Sequence, residues 1–206
     1  MKTFTVHEGV AAPLVRNNID TDAIIPSVEM KRVSKKGLSS GLFASWRYTD
    51  RAQRIPDPEF VLNQDPFQHA SILLGGKNFG CGSSREHAVW ALDEFGIRAI
   101  IAPSFGSIFR ANCIANGLLP VSLEAEAIAQ LAEWVEKSPQ TNHLKIDLEQ
   151  RSVSASQDLV FHFEMETSDA DMLLHGLDPI ALTLRLEVQI EAFQEADKME
   201  RPWVYL

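Results

Sequence analysis

Phe79-Gly80-Cys81-Gly82-Ser83-Ser84-Arg85-Glu86-His87 decides how this chain folds, because its two flanks obey different periodicities. Upstream, residues 70–74 form an apolar run of strand length that feeds Gly75-Gly76; downstream, Ala88, Ala91, Leu92 and Phe95 recur at the spacing of one helix face. The nine residues are therefore a strand-to-helix connection. Within them Ser83 and Glu86 have the spacing of a capping box, which predicts helix entry near Ser83. A helix N-terminus carries unpaired N–H groups and a partial positive charge, so with Arg85 beside it the turn suits a carboxylate or a phosphate. Gly80 and Gly82 free the backbone for conformations closed to other residues and keep side chains out of a ligand's way. Ser-x-x-Glu alone describes any capped helix with a solvated arginine; the full string is more specific.

Outward from this stretch the pattern alternates. Gly96 closes the helix, and Arg98-Ala99-Ile100-Ile101-Ala102 reads as a short buried strand. Residues 106–116 predict the next helix, residues 118–121 another strand, and Ile128, Leu131, Ala132 and Val135 a further helix face. Residues 144–148, 152–154 and 159–163 predict an antiparallel meander. Closing helices follow at 169–175 and from Asp178, where Pro179 takes a first-turn position behind a capping aspartate. Toward the N-terminus, residues 4–6 and 12–15 read as a hairpin leading to a turn-forming cluster at 17–22, which places Asp20 and Asp22 on a loop. Residues 30–40 carry Lys31, Arg32, Lys35 and Lys36 with Gly37, Ser39 and Ser40, a basic stretch that is either a solvated loop or a closure over an anionic substrate. Pro56, Pro58 and Pro66 make residues 50–67 an irregular connection. The expected fold class is α/β, one domain over residues 1–206 with residues 170–206 as a C-terminal helical extension.

Bulk properties narrow the function. A chain of 206 residues with 45% apolar composition can bury a real core. A formal charge of −9 argues against a phosphate-backbone-binding face, so nucleic acid is not an expected partner. With no apolar run near 18 residues and no charged-then-apolar leader, the expectation is a soluble, cytoplasmic protein without a membrane partner. Cys81 and Cys113 are the only cysteines, which indicates neither a disulfide framework nor a zinc site. A cubane iron–sulfur cluster takes three or four cysteinyl ligands, so this chain cannot hold one alone. Cys81 reads as a small loop residue, His87 as a structural hydrogen-bonding group in the first helical turn, and His69, His143, His162 and His175 lack metal-like spacing.

The nine-residue string resembles the serine-serine-arginine motif of the aconitase superfamily's swivelling domain, in particular the family of 3-isopropylmalate dehydratase small subunits. Asn18-Ile19-Asp20-Thr21-Asp22-Ala23-Ile24-Ile25-Pro26, the run at 100–105, Asn112-Cys113 and the segments 116–120 and 176–180 resemble that family as well, so the likeness covers nearly the whole chain. It implies a swivelling β/β/α barrel-like domain. It also implies a hydro-lyase subunit that interconverts 2-isopropylmalate and 3-isopropylmalate, in leucine biosynthesis, by loss and return of water. By motif position it puts the catalytic base on Ser83 and a substrate carboxylate on Ser84 and Arg85. A further substrate-binding arginine falls on Arg32, with Lys35 competing, and Asp22 orients it; Gly80, Gly82 and Glu86 are supporting residues. Without the resemblance, Asp20-Thr21-Asp22 reads as an Asx-turn before it reads as a functional acid. The likeness implies no cofactor or metal on this chain: a [4Fe–4S] cluster is supplied by a large iron–sulfur subunit, the hetero-oligomeric partner, and the small-molecule ligand is a hydroxy-dicarboxylate.

The chain departs from the pattern at Gly37-Leu38-Ser39, followed by Ser40-Gly41-Leu42-Phe43, where bacterial members of the family carry Gly-Phe-Gly, and at Ala181, where glycine is common. These departures leave open a related hydratase acting on a smaller substituted malate. A non-catalytic anion-binding module, in which residues 80–86 only grip an anion, is the reading from a different class.

Overall fold

Burial decides which strand joins which sheet. In the computed structural model, which describes residues 1–30 and 36–205, β1 (Val6–Gly9) alternates between exposed and half-buried positions, whereas β2 (Ala11–Leu14) is buried at Ala11, Ala12 and Leu14. An alternating strand has one wet face and a continuous apolar one is covered on both sides. The two segments therefore part at Val10 and enter different sheets, and the hairpin expected there does not form. Gly9 lets the sheets meet at this corner: a Cβ there would fall 2.1 Å from Ser71 Oγ, which instead sits 2.8 Å from His7 Nε2.

A long connection follows, holding α1 (Thr21–Ile24), α2 (Ala44–Arg47) and the small pair β3 (Tyr48–Asp50) and β4 (Ile55–Pro56). The chain then alternates as expected: β5 (Ile72–Gly75), α3 (Glu86–Phe95), β6 (Ala99–Ala102), α4 (Ser107–Ala115), β7 (Leu119–Ser122) and α5 (Ala125–Lys137). The parallel sheet runs β2-β5-β6-β7, with Ala11 opposite Ile72, Ile72 opposite Ala99 and Ala99 opposite Leu119. Pro13, which lacks an N–H, is tolerated because β2 is an edge strand. Residues 72–74 and 99–102 are fully buried, and α5 lays Ile128, Leu131, Ala132 and Val135 across β2, β5 and β6. Ile128, Leu131 and Val135 each contribute roughly 1.5–3 kcal/mol by leaving water.

The second sheet is antiparallel, ordered β1-β8-β9-β10, with β8 (Leu144–Asp147), β9 (Ser152–Ser154) and β10 (Val160–His162) forming the expected meander. Leu144 and Ile146 face the core while Lys145 faces water. In α6 (Thr167–His175), Ala170 and Leu173 are buried, and the Leu173 carbonyl accepts the Phe4 N–H at 2.9 Å. Asp178 caps α7 (Pro179–Leu184) by accepting the Ala181 N–H at 2.7 Å, with Pro179 in the first turn. In α8 (Glu187–Glu200) the buried side chain is Asp197, which accepts from Arg201 Nε at 2.6 Å and the Tyr205 hydroxyl at 2.7 Å. Ile180, Val188, Phe193 and Trp203 of this last segment are exposed. Among the described residues no helix is long and apolar enough to cross a membrane.

Candidate active site

Three loops leave the carboxyl ends of adjacent parallel strands β2, β5 and β6, the edge of an open α/β sheet where ligands bind. Backbone hydrogen bonds continue the sheet into these loops. The Gly80 N–H donates to the Ile19 carbonyl at 2.7 Å, the Thr21 N–H to Cys81 at 2.9 Å, the Phe79 N–H to Ser104 at 2.9 Å and the Gly106 N–H to Phe79 at 2.9 Å. Phe79, fully buried, anchors the middle loop against the rings of Phe105 and Phe109. Close approach explains Gly80. Its φ is +72°, and a Cβ on it would lie 2.1 Å from Phe109 Cγ.

Ser83 and Ser84 are exposed at the top of this edge. The Thr21 hydroxyl donates to the Ser83 carbonyl at 2.8 Å and lies 3.4 Å from Ser83 Oγ. Asp22, on the first turn of α1, forms an ion pair with Arg85, whose Nη1 also reaches the Ile25 carbonyl at 3.5 Å. The Arg85 side chain is 18% exposed and that of Asp22 58%, so the arginine is the inner partner, held at one end. Asp20 caps α1, accepting the Ala23 N–H at 2.7 Å.

The capping box does not form. Helix α3 starts at Glu86, with Arg85 as its extended N-cap residue (φ −135°, ψ 99°) and no side-chain cap. Residues 83–85 are drawn instead onto Thr21 and Asp22, which delays the helix. Glu86 instead accepts from Asn116 Nδ2 at 2.9 Å, joining the start of α3 to the end of α4. The Asp22 partner found is Arg85; Arg32, with Lys31 and Lys35, lies outside the described residues.

Two cavities open on the motif. One of about 330 Å³ is lined by Thr21, Gly80, Gly82, Ser83, Arg85 and the first turn of α4, including Ser107. The other, of about 690 Å³, is lined by Ser27, Met30, Ser84, Arg85, His87 and Trp90. Arg85 borders both. Ser83 thus lies between two helix N-termini: α3 begins three residues after it, and α4, capped only by Gly106, opens on its cavity. In a chain of net charge −9 this rim favours anions. The α4 contribution escaped sequence reading because nothing local to residues 106–109 says which loop they face. His87 packs its ring on Trp90, centroids 4.7 Å apart.

Both flanks of the basic stretch are tied down. Before it, Glu29 accepts from Arg54 Nη2 at 2.5 Å. After it, Glu94 near the end of α3 accepts the N–H groups of Gly37 at 2.6 Å, Leu38, and Ser39 at 2.8 Å. Partial burial pushes the Glu94 carboxyl up, and the backbone donors Gly37, Ser39 and Leu38 together outweigh it, so the net shift is downward. A depressed carboxylate holds its partners above its ordinary range and releases them as pH falls through the folded value. Amide exchange at Gly37, Leu38 and Ser39, corrected for intrinsic rates, is therefore expected to be slow at neutral pH and to lose protection below the glutamate range. Glu94→Gln should show the loss already at pH 7.

Cys113 is fully buried and its thiol is pushed well up by that burial; Cys81 is half-buried in the central loop. Among the described residues no group of three or more His, Cys, Asp or Glu is arranged to hold a metal ion.

Comparison with known proteins was made against this geometry. Residues 1–126 match the family described as the aconitase C-terminal domain. A 3-isopropylmalate dehydratase small subunit of Cupriavidus necator is 58% identical over 205 residues, covering 100% of this chain and 99% of the relative. One of Polaromonas sp. (strain JS666) is 48% identical over 211 residues, covering 99% and 97%. Among solved structures, a crystal structure of 3-isopropylmalate dehydratase from Methanocaldococcus jannaschii superposes with a TM-score of 0.62 at 25% identity, covering 92% of this chain and 99% of that one.

Proposed function

The chain belongs to the aconitase C-terminal domain family, among the 3-isopropylmalate dehydratase small subunits, and from that premise we propose that it is the small subunit of a cytoplasmic hydro-lyase of leucine biosynthesis. The enzyme interconverts 2-isopropylmalate and 3-isopropylmalate through a dehydrated intermediate. The observation that carries the reading is the serine-arginine edge: an exposed Ser83 hydroxyl between two helix N-termini, beside a guanidinium fixed by Asp22.

The reaction needs a base for a weakly acidic proton on carbon beside a carboxylate, and help for the departing hydroxyl. Ser83 is assigned the first task. An aliphatic alcohol serves as a base only where its negative charge is stabilised, and the oriented N–H groups and Arg85 do this for the serine oxygen and for the enediolate that forms. Ser84 and Arg85 bind a substrate carboxylate. Because Nη1 is engaged by Asp22, the plane of the fork is set before substrate arrives and its remaining donors can take a second carboxylate. Arg32, on the basic stretch between the two anchored flanks, is assigned the other end of the dicarboxylate.

The residues of this chain do not fit a cubane cluster, since Cys81 and Cys113 fall short of its three or four thiolates. Lewis-acid help at the leaving hydroxyl is assigned to a [4Fe–4S] cluster of the large subunit, against which this chain closes the site. Co-expression of the two subunits tests the reading. The complex should convert 2-isopropylmalate faster than malates bearing smaller substituents, and neither subunit alone should turn over. Within that complex Arg85→Lys is expected to raise KM at least about 10-fold, a charged bidentate contact being worth roughly 1.5–3 kcal/mol. An unchanged KM would remove Arg85 from substrate binding.

A further inference from the structure

Thr21 is one of two buried polar side chains among the described residues, 1% exposed, the other being Asp197 at the far end of the chain. Its backbone is fixed on both sides. The N–H donates to the Cys81 carbonyl at 2.9 Å, and its own carbonyl accepts the Ile25 N–H at 3.0 Å. A β-branched side chain on so fixed a backbone has little freedom at χ1. Its hydroxyl points at one residue: Oγ1 is 2.8 Å from the Ser83 carbonyl oxygen and 3.4 Å from Ser83 Oγ.

From this geometry we propose that Thr21 is a positioning residue for Ser83, holding the serine main chain through the carbonyl and donating to the serine oxygen when that oxygen carries negative charge. The inference rests on the role given to Ser83 above. A hydroxyl has one proton and two acceptor sites. With Ser83 protonated, the threonine proton lies on the Ser83 carbonyl and the threonine oxygen can accept the serine proton. With Ser83 ionised, the same threonine proton swings to Oγ by rotation about one bond. No intervening water is needed, since the two oxygens already lie 3.4 Å apart.

Three variants in the assembled two-subunit enzyme, assayed on 2-isopropylmalate, test this. Thr21→Val keeps the shape and removes the proton: kcat is expected to fall about 10-fold, the loss of one hydrogen bond to a charged oxygen, with KM within about twofold, since the ligand contacts of Ser84 and Arg85 remain. Thr21→Ser keeps the proton and should restore most of kcat. Should the valine variant fail to assemble, Thr21→Cys replaces it, a weak donor of size close to serine; its kcat should fall while that of the serine variant does not. Combining Thr21→Val with Ser83→Ala separates the two roles. If Thr21 acts through the serine, it costs nothing further once the serine is gone. Equal rates for wild type and Thr21→Val, equal losses for valine and serine, or a full additional loss in the Ser83→Ala background would each overturn the proposal. Normal turnover by Ser83→Ala alone would instead overturn the assignment of the base and leave nothing for Thr21 to position.

Discussion

Ser83→Ala in the assembled enzyme is expected to lower kcat by about 10²–10⁴-fold, the range for removing a positioned general base, while the two subunits still co-purify. Structure limits the collateral damage. The Ser83 side chain is exposed, and among the described residues its side-chain contact is the long one to Thr21 Oγ1. The tight tie from Thr21 goes to the Ser83 carbonyl, which alanine keeps. Removal of Oγ therefore changes chemistry without unfastening the loop, and KM should move little because Ser84 and Arg85 remain. If the protein were only an anion-binding module, the same change would leave function intact. Assembly together with a near-normal rate would rule out the enzymatic role of Ser83.

Gly80→Ala is expected to produce the largest loss of stability among single-methyl changes at the site, roughly 2–5 kcal/mol. Two costs add: a positive φ for a residue with a Cβ, and overpacking against a ring that cannot retreat. Phe109 Cγ, Cδ1 and Cβ would all lie within 2.7 Å of the new atom, and Phe109 is itself 2% exposed and in contact with Phe79. Gly82 supplies the control, because its φ is +88° but the nearest atom to an added Cβ is Asp20 Cβ at 3.5 Å. Gly82→Ala should pay only the conformational part, about 1–2 kcal/mol. Thermal denaturation should show Gly80→Ala melting well below Gly82→Ala. Equal melting points would mean that the packing between the motif loop and α4 is looser than described.

What was legible in the sequence follows the range of the interactions. Strands β5 and β6 were visible because a strand covered on both faces must be apolar at every position, as residues 72–74 and 99–102 are. Helix α5 was visible because its buried face recurs every three to four residues. The opening segments were misjudged because both are short and apolar enough to pair with each other. The distinction lay in the alternation of Val6-His7-Glu8-Gly9 against the continuous Ala11-Ala12-Pro13-Leu14, a signal that only burial makes decisive.

The site divided along the same line. Ser83, Ser84 and Arg85 come together with the glycines because they are neighbours in sequence. The partners that fix them are not: Thr21 is 62 residues from Ser83 and Asp22 is 63 from Arg85, and no local pattern reports a contact across a parallel sheet. The capping box failed for that reason. A local rule placed the helix at Ser83, and two long-range contacts with α1 moved it to Glu86. Glu94 escaped notice likewise, since its acceptor role depends on the backbone of residues 37–39, 55–57 positions away.

The central claim is that the Ser83 oxygen faces the carbon that loses its proton. A crystal structure of the assembled two-subunit enzyme with substrate or the dehydrated intermediate bound measures this directly. The account predicts Ser83 Oγ within about 3–3.5 Å of that carbon, with a ligand carboxylate on Arg85. A ligand bound with Ser83 turned away and many ångströms distant would contradict it.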